Sequence, residues 1–166
     1  MVQLVWFKRD LRSADHRPLA EAAASGPVIP LYVAEPEYWA QPDTSRRQYM
    51  AVASALAELS LRLEWLGAPL IIRTGTVVEW LGRIHRAIGL TRILAHEETG
   101  NAWTFARDRA VGRFCREAGI AFVEYPQFGV VRGLRDRDEW GRLSQAILRA
   151  PPLPEPARLI AATRAP

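Results

Sequence analysis

The sequence predicts a soluble, Rossmann-like α/β fold: a doubly wound, five-stranded, mostly parallel sheet with helices on both faces. Three observations lead there. Short apolar runs alternate with helical patterns, as in parallel strands joined by crossover helices. Helix caps fall at the boundaries between them. The 166 residues suit one domain with a sizeable core.

The first strand is read as Gln3 to Phe7, followed by a helix near Pro18 to Ser25, where a proline in the first turn costs nothing. The second strand is Val28 to Ala34. Asp43, Thr44 and Ser45 offer caps for a long helix reaching about Leu66. Tyr49, Val52, Ala53, Leu56, Leu59, Leu63 and Leu66 fall on one face of it, and Gly67 suits its end. The third strand is Leu70 to Arg73. Thr76 and Glu79 form a capping box that opens a helix through Trp80, Leu81, Ile84 and Ile88 to Gly89. The fourth strand is Arg92 to Ala95. A loop, His96 to Gly100, leads to a helix from about Trp103 to Ala118, stopped by Gly119. The fifth strand is Ala121 to Tyr125, and a last helix spans about Asp138 to Arg149.

The domain is expected to occupy 1–149. Pro151, Pro152, Pro154 and Pro156 then read as an extended, semi-rigid connector over 150–166. A connector of that kind suggests a second domain beyond it.

Composition excludes several classes. No apolar run approaches the ~18 residues of a membrane span, and no secretory leader opens the chain. A single cysteine, Cys115, leaves no internal disulfide. A cytoplasmic setting fits. The net charge is +4 and the pI about 9.8, with Lys8 the only lysine. The arginines mostly neighbour acids and read as solvated helix faces, with a weak basic patch as the alternative.

Ligands of doubly wound sheets bind at the carboxyl edge, near the switch in strand order. The loops to watch are therefore 8–17, 35–45 and 96–103. The first turn, Lys8-Arg9-Asp10-Leu11-Arg12, lacks the glycines of a dinucleotide or Walker loop. It could grip an anionic or polar ligand, or Asp10 and the arginines could simply neutralise one another. His16, His85 and His96 lie on different elements, with His85 read as a surface residue. Glu97 and Glu98 either bind a metal or, the preferred reading, cap the next helix. Cys115, beside Phe114, is read as core. Of the six tryptophans, Trp6, Trp65 and Trp80 are placed in the core. Trp39 and Trp103 fall near the carboxyl edge, where they could stack on a planar ligand or pack a loop.

The opening Leu4-Val5-Trp6-Phe7-Lys8-Arg9-Asp10-Leu11-Arg12, with Asp15 and Leu19, resembles the start of the DNA photolyase/cryptochrome family. Leu31-Tyr32 with Pro36 and Trp39, then Ser45, Arg47 and Gln48, and later Arg107-Asp108, are similar to that family's following elements. The resemblance covers the whole chain as the family's N-terminal α/β domain. It implies a larger helical domain beyond the connector, carrying FAD, the electron-transfer tryptophans and the main DNA-lesion pocket. No catalytic residue is therefore carried over to this chain.

The resemblance also implies an antenna chromophore on the α/β domain: a deazaflavin, a flavin or a folate. Lys8, Arg9, Asp10, Glu35, Trp39, Glu97, Glu98 and Trp103 are its candidate contacts. Several positions depart from the family pattern. Lys8 replaces the common Arg, His16 the usual Asn, and Pro42 a folate-associated His, while Trp103-Thr104 replace a polar pair. The implied partners are the FAD-binding helical domain and, through the whole protein, ultraviolet-damaged DNA, with no membrane partner. The alternative is a free-standing nucleotide-binding module. An apolar patch, with self-association, is expected where the helical domain would pack.

Overall fold

A computed structural model describes residues 2–162. The sheet has five strands in the order β3-β2-β1-β4-β5: β1 Gln3–Phe7, β2 Val28–Ala34, β3 Ile71–Thr74, β4 Arg92–His96 and β5 Ala121–Tyr125. Every adjacent pair is parallel. The helices are α1 Arg17–Ser25, α2 Pro36–Trp39, α3 Arg46–Leu66, α4 Val77–Ile88, α5 Ala102–Glu117 and α6 Trp140–Arg149, the last preceded by a 3-10 turn at Arg137–Glu139.

Central β1 is buried along its whole length, and its alternation divides the core. Leu4 and Trp6 pack with Ile29, Leu31, Leu81, Ile84, Val111 and Cys115, beneath α4 and α5. Val5 and Phe7 face the other way, onto Leu19, Leu59, Leu63 and Leu66 of α1 and α3. Such two-sided burial explains why the strands read as continuous apolar runs.

Several boundaries and packing assignments differ from the sequence reading. β3 begins at Ile71, because the register with β2 pairs Leu31 with Ile71. The stretch 35–45 contains the short α2, whose Pro36 occupies a first-turn position where its missing N–H is no loss. α3 is capped by Ser45, which accepts from Gln48 N, but only its second half is core. Tyr49 is 48% exposed, and the buried stripe is Leu56, Leu59, Leu63 and Leu66. Trp65 is no core residue. It is 70% exposed and stacks under the Arg62 guanidinium, because its neighbours Leu63 and Leu66 hold the inward face. Trp80 is half-buried, and its Nε1 donates to Thr74 O at 2.9 Å.

The Thr76 capping box is half made. Thr76 Oγ1 accepts from Glu79 N, but the Glu79 carboxylate turns to Arg83 at 2.6 Å. Asn101, not an upstream glutamate, caps α5 by accepting from Thr104 N at 3.0 Å.

The segment after α6 packs back on the domain. Asp15 N donates to Leu153 O at 2.8 Å, and Glu155 pairs with Arg62 and Ser13. Leu159 is 2% exposed in the α1/α3 side of the core. Ala161 forms a parallel bridge to Val28, outside the span where β3 covers β2. Residues 163–166 of the expected connector lie outside the described residues.

Candidate functional site

From β1 the chain builds outward through β2 to β3, then returns to add β4 on the other side of β1. The strand order therefore switches between β1 and β4, and the crevice above their carboxyl ends collects the polar residues.

The turn after β1 lays down a buried ionic network. Lys8 Nζ lies 2.5 Å from Asp108 Oδ2 and 3.6 Å from Glu124 Oε1, with its charge 4.5 Å from the Trp6 ring centre. Arg107 is the hub. It reaches Glu35 at 3.1 Å, Glu98 at 2.9 Å and Asp108 at 3.0 Å, with Trp6 and Trp103 rings on its faces at 4.8 and 5.7 Å. A planar fork with five donors suits this many-sided role as an ammonium would not. Arg9 reaches over the rim to Glu98 at 2.6 Å. Arg132 closes the far side, donating to Glu98 O and to Glu124.

Position within this network separates the acids. Burial pushes Glu98 upward, but Arg9, Arg107 and Lys8 overcome it and hold its carboxyl below the usual range. At Glu35 burial wins over Arg107 and the Val77 amide, and the carboxyl titrates above its usual value. Glu124 is likewise raised by burial, and its Oε1 has no hydrogen-bond partner among the described residues.

Asp10 does not neutralise the neighbouring arginines. It is buried with two histidines: His16 Nε2 at 2.8 Å and His96 Nδ1 at 2.6 Å, both on Oδ2. Its Oδ1 accepts from Lys8 N at 2.8 Å. Burial alone would raise this carboxyl, but the two histidine hydrogen bonds hold it well below the usual range. Among the described residues these three are the one group whose donor atoms could meet a metal ion. The tautomer argues against that. His16 Nδ1 accepts from Leu19 N at 3.1 Å, so the ring proton sits on Nε2, where a metal would need a lone pair. The group is a closed hydrogen-bonded unit, and burial holds His16 below its ordinary pKa.

Beside the network lies an open cleft of about 360 Å³, lined by Arg9, Tyr38, Asp43, Gln48, Asn101 and Thr104 around Gly100. Tyr38 packs against Trp39 at 5.0 Å and Trp103 at 5.7 Å, and Trp39 against Tyr49 at 5.1 Å. Asn101 Nδ2 donates to both Asp43 oxygens and so ties the α5 cap to the loop before α3. The cleft presents one aromatic ring, that of Tyr38, with Trp39 and Trp103 packed behind it, together with hydrogen-bond donors and acceptors and one exposed guanidinium.

Of the sequence-predicted residues, Arg9 lines the cleft and Trp39 and Trp103 belong to its aromatic group. Lys8, Asp10, Glu35 and Glu98 lie beneath, buried in ion pairs. Glu98 is not a helix cap; its Oε1 accepts from Thr99 N and Gly100 N. Among the described residues Glu97 joins neither network nor cleft, and its amide donates to Tyr125 O. Sequence reasoning missed Tyr38, Asp43, Asn101 and the pairing of His16 with His96. An Asn three residues before a Thr amide was the available signal for the cap.

Residues 3–131 match the family model described as DNA photolyase. A deoxyribodipyrimidine photo-lyase of Vibrio cholerae is 33% identical over 102 residues, covering 58% of this chain and 22% of that protein. Cryptochrome-1 of Sinapis alba is 32% identical over 123 residues, covering 74% of this chain and 24% of the relative. The chain thus spans about a quarter of the length of these relatives. An archaeal photolyase from Sulfolobus tokodaii, solved with two FAD molecules, shares the fold with a TM-score of 0.79 at 21% identity. That match covers 98% of this chain and 39% of the other.

Proposed function

Because this chain belongs to the DNA photolyase family, we propose that its α/β domain holds a light-harvesting chromophore for a flavoprotein whose FAD-binding helical domain docks on it. The observation that carries this reading is the cleft at the strand-order switch, with Tyr38, Trp39 and Trp103 beside it. A planar ring with polar edges suits the Tyr38 ring, backed by Trp39 and Trp103, and the mixed donors and acceptors of Arg9, Asp43, Gln48 and Asn101. The fit favours a flavin, deazaflavin or folate ring over a compact anion. When bound, such a chromophore absorbs light and passes the excitation to FAD. The chain's own part is to hold the ring at a fixed place, and the ion pairs of Arg107 stiffen the floor beneath it. The parent protein would then use FAD to split pyrimidine dimers in damaged DNA.

The free-standing nucleotide-module reading is less well supported. A phosphate-binding turn needs open backbone amides, and here Lys8 N is already held by Asp10. Thermal-shift titration with FMN, 5-deazariboflavin, methenyltetrahydrofolate and ATP tests the two readings, since stabilisation grows with ligand over Kd. Stabilisation by one of the first three, lost in Trp103→Ala, is the expected result. A shift with ATP alone overturns it.

A further inference from the structure

A second groove, of about 340 Å³, lies between α5 and edge strand β5. Phe105, Arg109, Gly112, Arg113 and Arg116 line one wall, and Phe122 and Glu124 the other. Positions 105, 109, 112, 113 and 116 share one helical face, so the arginines form a row rather than a scatter. The row rises about 10 Å along the axis.

The partners of these arginines differ from those at the carboxyl edge. Arg9, Arg107 and Arg132 each reach an acid at 3.1 Å or less. Arg109, Arg113 and Arg116 are exposed and have no ion pair among the described residues. Arg109 stands only against the ring of Phe105, at 5.9 Å. The acids at the inner wall, Asp108 and Glu124, are already engaged by Lys8, Arg107 and Arg132. Gly112 leaves a notch in the row, and Arg116 Nη1 lies at its edge, 3.9 Å from where a Cβ would stand. Phe105 is 54% exposed at the head of the row.

We propose that this groove binds the phosphodiester backbone of a nucleic-acid strand. Three unpaired guanidinium groups in line suit successive phosphates, whose negative charges recur every ~3.4 Å of rise along one strand. Phe105 then offers an unstacked base a platform, and the notch at Gly112 lets the backbone approach the helix. The site belongs to the α/β domain and is separate from the lesion pocket that the family resemblance places on the helical domain. It does not depend on what the carboxyl-edge cleft holds.

The test is fluorescence anisotropy of a labelled sixteen-residue oligothymidylate with the 166-residue protein at low salt. Binding is expected to weaken with salt, with a log–log slope of about −2 for three phosphates at 0.7 each. R113E/R116E is expected to weaken binding at least tenfold, and Phe105→Ala severalfold. R46E/R47E makes the same change in net charge on α3 and is expected to cost less than threefold. Circular dichroism melts of all variants separate loss of binding from loss of fold, and R113Q/R116Q replaces any reversal that fails to fold. Equal losses from both double reversals would make the effect one of net charge and overturn the site. So would the absence of salt-sensitive binding, or competition by polyglutamate as effective per charge as by unlabelled oligonucleotide.

Discussion

His16 Nε2 donates to Asp10 Oδ2 across 2.8 Å in a site closed to water, while the other nitrogen of the ring caps α1. One imidazole therefore ties the first turn to the first helix, and it does so only while neutral. Protonating Nδ1 would turn the cap's acceptor into a donor facing the Leu19 amide.

This sets a pH dependence. Burial lowers the His16 pKa in the fold, so the unfolded chain takes up the proton first as pH falls below about 6.5. The unfolded state then binds more protons, and stability drops with falling pH. Asp10, held well below its usual value, adds a second loss below about pH 4 by the same sign. Urea midpoints measured from pH 7.5 to 5 should fall for the wild type and fall less for His16→Asn. Parallel profiles would show that His16 titrates as it does unfolded.

Arg107 holds three carboxylates in a mostly buried place. Arg107→Met should therefore destabilise the domain by about 3–5 kcal/mol, the cost of leaving buried charge uncompensated. Arg107→Lys should recover only part, because a point charge cannot bridge Glu35 and Glu98 together. A loss below about 1 kcal/mol for Met in urea denaturation would mean that water screens the network.

Leu159 is core although it follows the proline-rich stretch. Leu159→Ala should cost about 2–5 kcal/mol. Gly67→Ala should also destabilise. Gly67 has φ 107°, and an added Cβ would stand 2.7 Å from Leu159 O. Backbone strain at such a position costs about 1–3 kcal/mol before the clash is counted. Thermal melts that leave both variants at the wild-type midpoint would place this segment outside the folding unit.

Gly100 marks how closely the cleft loop is packed. A Cβ there would meet Thr104 Oγ1 at 2.6 Å and Glu98 Oε1 at 3.0 Å. Gly100→Ala should displace the Arg9–Glu98 pair toward the cleft and weaken the stabilising chromophore about tenfold. The melt without ligand should change by only a few degrees. Unchanged affinity would separate the cleft from ligand binding.

Strands β1, β2 and β5 were legible to the residue, because apolar runs there are bounded by charge, glycine or proline. Four-residue α2 was not, since a single turn carries no periodicity. Trp65 misled because hydrophobicity alone does not say which side of a helix a ring is on. The site was legible as a location and as a set of charged residues, and less so as a set of partners. His16 and His96 meet edge to face at 4.6 Å and share the Asp10 carboxylate, and no spacing rule joins residues 80 positions apart in the chain. The Arg107-Asp108 pair stood out by resemblance, but its role as the ionic hub follows from the sheet order, which brings β2 and β4 to either side of β1.

The central place of β1 also bears on how the chain acquires its structure. Gln3 pairs on one side with Val28 and on the other with Arg92, both of which follow it in the chain. The strand, with four apolar residues of its five, thus waits half-unpaired until a segment some ninety residues later has been synthesised. Non-local pairing of this kind slows folding and leaves sticky edges exposed meanwhile. A growing chain should therefore engage holdase-type chaperones once β1 has emerged and release them only once β4 has docked.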